Sequence, residues 1–128
     1  MAQGGPAAAT GTLDVGPLAD YKDDKVYDKF ATKTDQTLVV RKDGKVYAIS
    51  ARCTHRNCTV KVDKAGYYCP CHKSHFTPEG MVEKGPAKAS LFRYAIATND
   101  KGDVIVDRAK QFSEKDWEKD GAFIEVKK

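Results

Sequence analysis

Thr37-Leu-Val-Val-Arg-Lys-Asp-Gly-Lys-Val-Tyr-Ala-Ile-Ser50 decides the fold class. Two runs rich in Val, Ile, Leu and Tyr flank Lys42-Asp43-Gly44. β-Branched and aromatic side chains suit a pleated strand, and Asp-Gly between apolar runs marks a tight hairpin. The same pattern repeats outward. Val26–Thr32 reads as a strand upstream. Downstream, Gly66-Tyr-Tyr-Cys69, Gly80-Met-Val-Glu-Lys84, Phe92–Thr98 and Val104-Ile-Val106 read as strands, the last two joined by the turn Asn99-Asp-Lys-Gly-Asp103. Ser113-Glu-Lys-Asp116 predicts one short capped helix through Trp117, before a last strand at Phe123–Val126. Short strands at regular spacing, separated by turns, predict an all-β fold, an antiparallel β-sandwich.

The 128 residues suit a single domain, expected over 12–128 behind a flexible leader at 1–11. That leader holds no Lys or Arg and no long apolar stretch, so it lacks the features of a secretion signal. No run approaches the roughly 20 apolar residues that a membrane-spanning helix needs. With 41% hydrophobic residues and a net charge of only +4, the composition is that of a folded chain.

Residues 52–88 behave differently. Seven bases (Arg52, Arg56, Lys61, Lys64, Lys73, Lys84, Lys88) and three acids (Asp63, Glu79, Glu83) give this segment the whole surplus of +4. It also holds every Cys and His, three of the five prolines, and little alternation. A loop-rich insert inside a β domain usually exists to hold something. A nucleic-acid surface would need a denser basic stripe interleaved with exposed aromatics, and none is present. The surplus instead suits a solvated surface, a negatively charged centre or an acidic docking partner.

Cys53-Thr54-His55 is followed, after thirteen residues, by Cys69-Pro70-Cys71-His72, and Cys58 lies between. Six soft or borderline ligands within twenty positions point to a metal, a disulfide or both. A closed zinc tetrahedron would use four of them, and a zinc-binding interaction module follows from that choice. Two Cys–His pairs suit equally a two-iron centre with thiolates on one iron and imidazoles on the other.

Cys53-Thr-His55-Arg-Asn-Cys58 together with Cys69-Pro-Cys71-His72-Lys-Ser74-His-Phe76 resembles the Rieske [2Fe–2S] signature. More narrowly it is similar to the high-potential, disulfide-containing type found in cytochrome bc-complex subunits. Lys84-Gly85-Pro86-Ala87 resembles the proline loop over the cluster in that family. The resemblance implies a Rieske-like β-sandwich with an inserted cluster-binding subdomain at about 52–88. It implies that Cys53 and Cys69 bind one iron, and that His55 and His72 bind the other. It further implies a Cys58–Cys71 disulfide joining the two loops, a Ser74 hydroxyl donating to a bridging sulfide, and Pro86 beside the cluster. His75 falls outside the ligand spacing and is expected as a loop residue near the site. Tyr67, Tyr68 and Phe92 are expected in the core or sheet, and Trp117 as an anchor of the C-terminal turn.

The chain also departs from the family. Arg56-Asn57 stands where quinol-oxidising relatives have Leu-Gly, Lys73 replaces a glycine, and Phe76 replaces a tyrosine whose hydroxyl donates to a cysteine ligand. A glycine position given to Lys73 implies a changed turn or a strained backbone. These departures bear on quinol oxidation more than on the cluster. The expected activity is one-electron transfer rather than catalysis by this chain alone. The redox donor and acceptor would be a cytochrome, a quinol complex or a molybdenum oxidoreductase subunit. A structural disulfide persists in oxidising compartments, so a periplasmic or otherwise extracytoplasmic site is expected, with a membrane tether absent from this chain. The competing expectation is a Rieske ferredoxin feeding an oxygenase, a class that normally lacks the second cysteine pair.

Overall fold

The computed structural model of the protein describes residues 11–32, 35–52, 58–63, 66–70, 73–84, 90–119 and 121–126. Among them, the strands are β1 (Thr12–Pro17), β2 (Lys25–Tyr27), β3 (Thr37–Lys42), β4 (Lys45–Ser50), β5 (Lys61–Asp63), β6 (Gly66–Tyr68), β7 (His75–Phe76), β8 (Val82–Lys84), β9 (Arg93–Thr98), β10 (Asp103–Phe112) and β11 (Ile124–Glu125). Every pairing is antiparallel. One curled sheet of seven strands runs β1-β10-β9-β4-β3-β2, with β11 also on β4, and a four-stranded sheet runs β5-β6-β7-β8. The architecture is the all-β fold expected, and the small sheet is the insert.

The hairpin at Thr37–Ser50 forms as read. Lys42 pairs with Lys45, and Asp43 and Gly44 both take positive φ, 53° and 80°, the geometry of a two-residue type I′ turn. Its strands are apolar on both faces because both faces are covered. Leu38, Val40, Tyr47 and Ile49 face Val60, Tyr67, Cys69, Phe76 and Leu91, most of them from the small sheet and its flanks. Val39, Val46 and Ala48 face the other way, into a cluster with Val15, Tyr21, Tyr94, Ile96, Val104 and Val106 that the curled sheet encloses. Each fully buried Val, Leu or Ile contributes about 1.5–3 kcal/mol, so this hairpin is the shared wall of two cores.

Three local differences from the sequence reading have physical causes. Thr12–Pro17 pairs with β10 although it carries little apolar alternation, since an edge strand needs hydrogen bonds from one neighbour only. The stretch Val26–Thr32 is extended only through Tyr27, because Ala31 N–H bonds back to the Asp28 carbonyl and turns the chain. The helix at Ser113 is a single 3-10 turn, Glu114–Asp116, and Ser113 makes no side-chain cap. Trp117 does anchor that turn, buried with Phe112 and Ala122.

Candidate metal centre

The small sheet sets the position of the site. Its register places Lys61, Tyr68, His75 and Lys84 in one row across one end. Beyond that row the chain arrives from Cys58 into β5, runs from β6 through 69–74 into β7, and leaves β8 towards residue 85. The two cysteine boxes and the proline loop therefore attach to the same end. The neck of the first box is closed by a bridge between Arg52 and Thr59 and by Val60 N–H on the Ala51 carbonyl, 2.7 Å.

Cys69 follows β6 directly. It is fully buried, in the same apolar cluster as Phe76 and Tyr67, and its thiol is free. The turn after it is closed by two backbone bonds, Lys73 N–H to the Cys69 carbonyl (2.7 Å) and Cys69 N–H to the Ser74 carbonyl (2.8 Å). Closing that turn puts Lys73 at φ 63°, so the lysine adopts the glycine-like backbone and the turn itself is kept. Ser74 is fully buried beside it. Cys58, half-buried against the same cluster, is disulfide-bonded. Cys53, His55, Cys71, His72 and Pro86 lie outside the described residues.

His75 is a strand residue and not a loop residue, because it pairs with Tyr68 on one side and Lys84 on the other. Both of its ring nitrogens face carboxylates: Nε2 lies 3.2 Å from Asp63 Oδ2 and Nδ1 lies 3.3 Å from Glu83 Oε1. Its ring is thus taken up within the small sheet. Phe92 is also misplaced by the sequence reading. It sits just before β9 and is 38% exposed, while its carbonyl accepts the Ser50 N–H. Tyr67 is buried in β6 as expected and donates to the Pro78 carbonyl, 2.8 Å; Tyr68 is the half-buried sheet residue beside it.

A second set of residues was invisible in the sequence. Arg93 is buried, with its guanidinium carbon 3.8 Å from the Tyr47 ring centre and 4.0 Å from that of Trp117, and it donates to the Glu79 carbonyl at 3.1 Å. Burial holds its pKa below the ordinary arginine value and pushes the Tyr47 phenol up to about 12. Glu79 itself pairs with Lys42 of β3. The hydrogen bond from Lys42 holds the Glu79 carboxyl below its usual range, and the same bond raises Lys42. Arg93 and Lys42 pin the turn at 77–80 to the large sheet and Tyr67 ties it to the small one, which fixes the small sheet as a platform. No motif announces this, since the partners are distant in sequence and two of the contacts end on backbone carbonyls.

Among the described residues, Cys69 and its turn suit a mount for an iron–sulfur group. A thiolate buried among apolar side chains is costly alone, whereas a metal ion takes the thiol deprotonated and offsets its charge. A closed turn with a buried hydroxyl beside that thiol is a rigid mount.

Residues 11–95 match the family model of the Rieske [2Fe-2S] domain. The chain is 35% identical over 101 residues to the cytochrome b6-f complex iron-sulfur subunit of Chlorobaculum tepidum, covering 76% of this chain and 54% of that protein, so it spans about half the length of that relative. The crystal structure of the cyanobacterial plasma membrane Rieske protein from Synechocystis PCC 6803 aligns with a TM-score of 0.54 and 30% identity, over 74% of this chain and 98% of the other. A complex of oxygenase and ferredoxin in carbazole 1,9a-dioxygenase aligns at a TM-score of 0.52 and 20% identity, a likeness of fold alone.

Proposed function

Because the chain belongs to the Rieske [2Fe–2S] domain family, and so carries a [2Fe–2S] cluster as an electron-transfer protein, we propose that it is the electron-carrying subunit or soluble carrier of an extracytoplasmic respiratory chain. The cluster supplies one-electron chemistry, and any coupled catalysis belongs to the partner. Cys53 and Cys69 hold one iron, and His55 and His72 the other. Neutral imidazoles in place of two thiolates remove negative charge from the centre and raise its potential above that of all-thiolate clusters. Each imidazole keeps its second ring N–H for solvent or a partner. Ser74 donates its hydroxyl to a bridging sulfide, and the loop carrying Pro86 shields the centre.

The observation that carries this reading is the division of labour between the two described cysteines. Cys69 is a buried free thiol on a closed turn, and Cys58 is a disulfide cysteine. In this reading Cys58 pairs with Cys71, the pairing that the family resemblance implies, and Cys53 is kept as a ligand. A disulfide at Cys58 favours an oxidising compartment, and it favours a respiratory carrier over a ferredoxin that feeds an oxygenase. Among the described residues no helix is long and apolar enough to cross a membrane, so a tether would have to come from another segment or a partner subunit.

Iron and acid-labile sulfide analysis with a redox titration of the purified protein tests the proposal. The expected result is two iron and two sulfide per chain and a potential within the Rieske range of about −150 to +300 mV. Zinc without sulfide, or a potential near the −400 mV or so of plant-type ferredoxins, overturns it.

A further inference from the structure

The end of the small sheet that carries Cys58, Cys69 and Ser74 presents exposed lysines that no carboxylate among the described residues pairs with. Segment 52–88 contains three acids, Asp63, Glu79 and Glu83, and each is held. Asp63 and Glu83 face the two nitrogens of His75, and Glu79 pairs with Lys42 at the opposite end, by the turn at 77–80. The bases are arranged otherwise. Lys61 opens β5 in the end row, Lys73 sits in the turn between Cys69 and Ser74, and both are exposed. Among the described residues neither has a carboxylate partner. Lys84 closes the same row in β8. The rest of the chain is neutral, with fifteen bases and fifteen acids. Asp63 and Glu83 are both turned onto the His75 ring and neither pairs with Lys61 or Lys73, so these two exposed lysines make a basic docking rim.

We propose that this end binds a redox protein whose docking face is acidic, carboxylates surrounding its exposed cofactor, with Lys61 and Lys73 as the principal contacts. The proposal rests on the electron-carrier reading above and adds the chemistry of the partner to it. Complementary charge steers encounter and fixes orientation, so the contact places the partner's cofactor at the cluster end. One electron then leaves the reduced centre and reduces one ferric haem to ferrous, with no atom or proton transferred.

The test uses the cluster-loaded protein with two forms of one acceptor, horse cytochrome c, which is basic, and its lysine-succinylated derivative, which is acidic. Equilibrium binding is measured by interferometry, and electron transfer by haem absorbance. The expected result is binding to the succinylated form alone, weakening about tenfold or more as NaCl rises from about 10 to about 200 mM. The double variant Lys61→Glu/Lys73→Glu is expected to lose that binding. The double variant Lys22→Glu/Lys101→Glu changes the net charge equally at exposed positions on loops of the large sheet, and should retain most of it. Equal losses in both double variants, salt-independent binding, or preference for native cytochrome c overturns the proposal. If the reduced protein transfers electrons to neither form, the electron-carrier reading fails, while the binding comparison still decides the docking.

Discussion

Single residues carry distinct roles at the cluster end. Lys73 occupies a left-handed backbone position because two backbone bonds close the turn from Cys69 to Ser74. Lys73→Gly should leave the free energy of unfolding measured in urea within about 0.5 kcal/mol of the parent, whereas Lys73→Val, β-branched at positive φ, should cost about 1–2 kcal/mol. Ser74→Ala should retain the cluster but lower its potential, since a hydrogen bond to a charged sulfur favours the reduced, more negative state. A fraction of the about 1.5–3 kcal/mol of such a bond is worth tens of millivolts at about 59 mV per 1.4 kcal/mol for one electron. A redox titration that leaves Ser74→Ala unshifted assigns its buried hydroxyl to the fold alone. Cys69→Ser should abolish the cluster, read as loss of visible absorbance and of acid-labile sulfide.

At the scale of elements, the four-stranded sheet depends on one glycine. Gly66 has φ 138°, and a Cβ there would lie 2.1 Å from the Phe76 carbonyl oxygen of β7. Gly66→Ala must therefore separate β6 from β7, at a cost of about 3 kcal/mol or more, and calorimetry should show a large drop in melting temperature. The clamp between the sheets is acid-sensitive. Glu79 is held below its ordinary range by Lys42, so its contribution is present above the unfolded carboxylate value and is lost as pH falls through the lower, folded one. Stability measured in urea should decline below about pH 4.5, and Lys42→Met should flatten that part of the curve. The long strands were legible in the sequence because β3, β4 and β9 are runs of β-branched and aromatic residues long enough to stand out between turns. β5 and β7 were not, since three and two residues hold no period and are extended only because β6 lies between them.

For the whole molecule, the cysteine and histidine spacing made the chemistry legible while the platform beneath it stayed hidden. The two boxes fall within twenty positions, so their ligand types read directly. The clamp of Arg93, Tyr47, Trp117, Lys42 and Glu79 draws on residues from Lys42 to Trp117, and only the folded chain brings them together. The same is true of His75, whose two carboxylate neighbours come from different strands. Histidine ligation of the cluster is tested by electron spin-echo spectroscopy of the reduced protein labelled with nitrogen-15 at histidine. Two histidine nitrogens should couple to the reduced centre, with His75→Ala leaving both in place and the His55→Ala and His72→Ala variants failing to assemble it. A centre with no coupled histidine nitrogen, or one whose coupling disappears in His75→Ala, would contradict the assigned ligation.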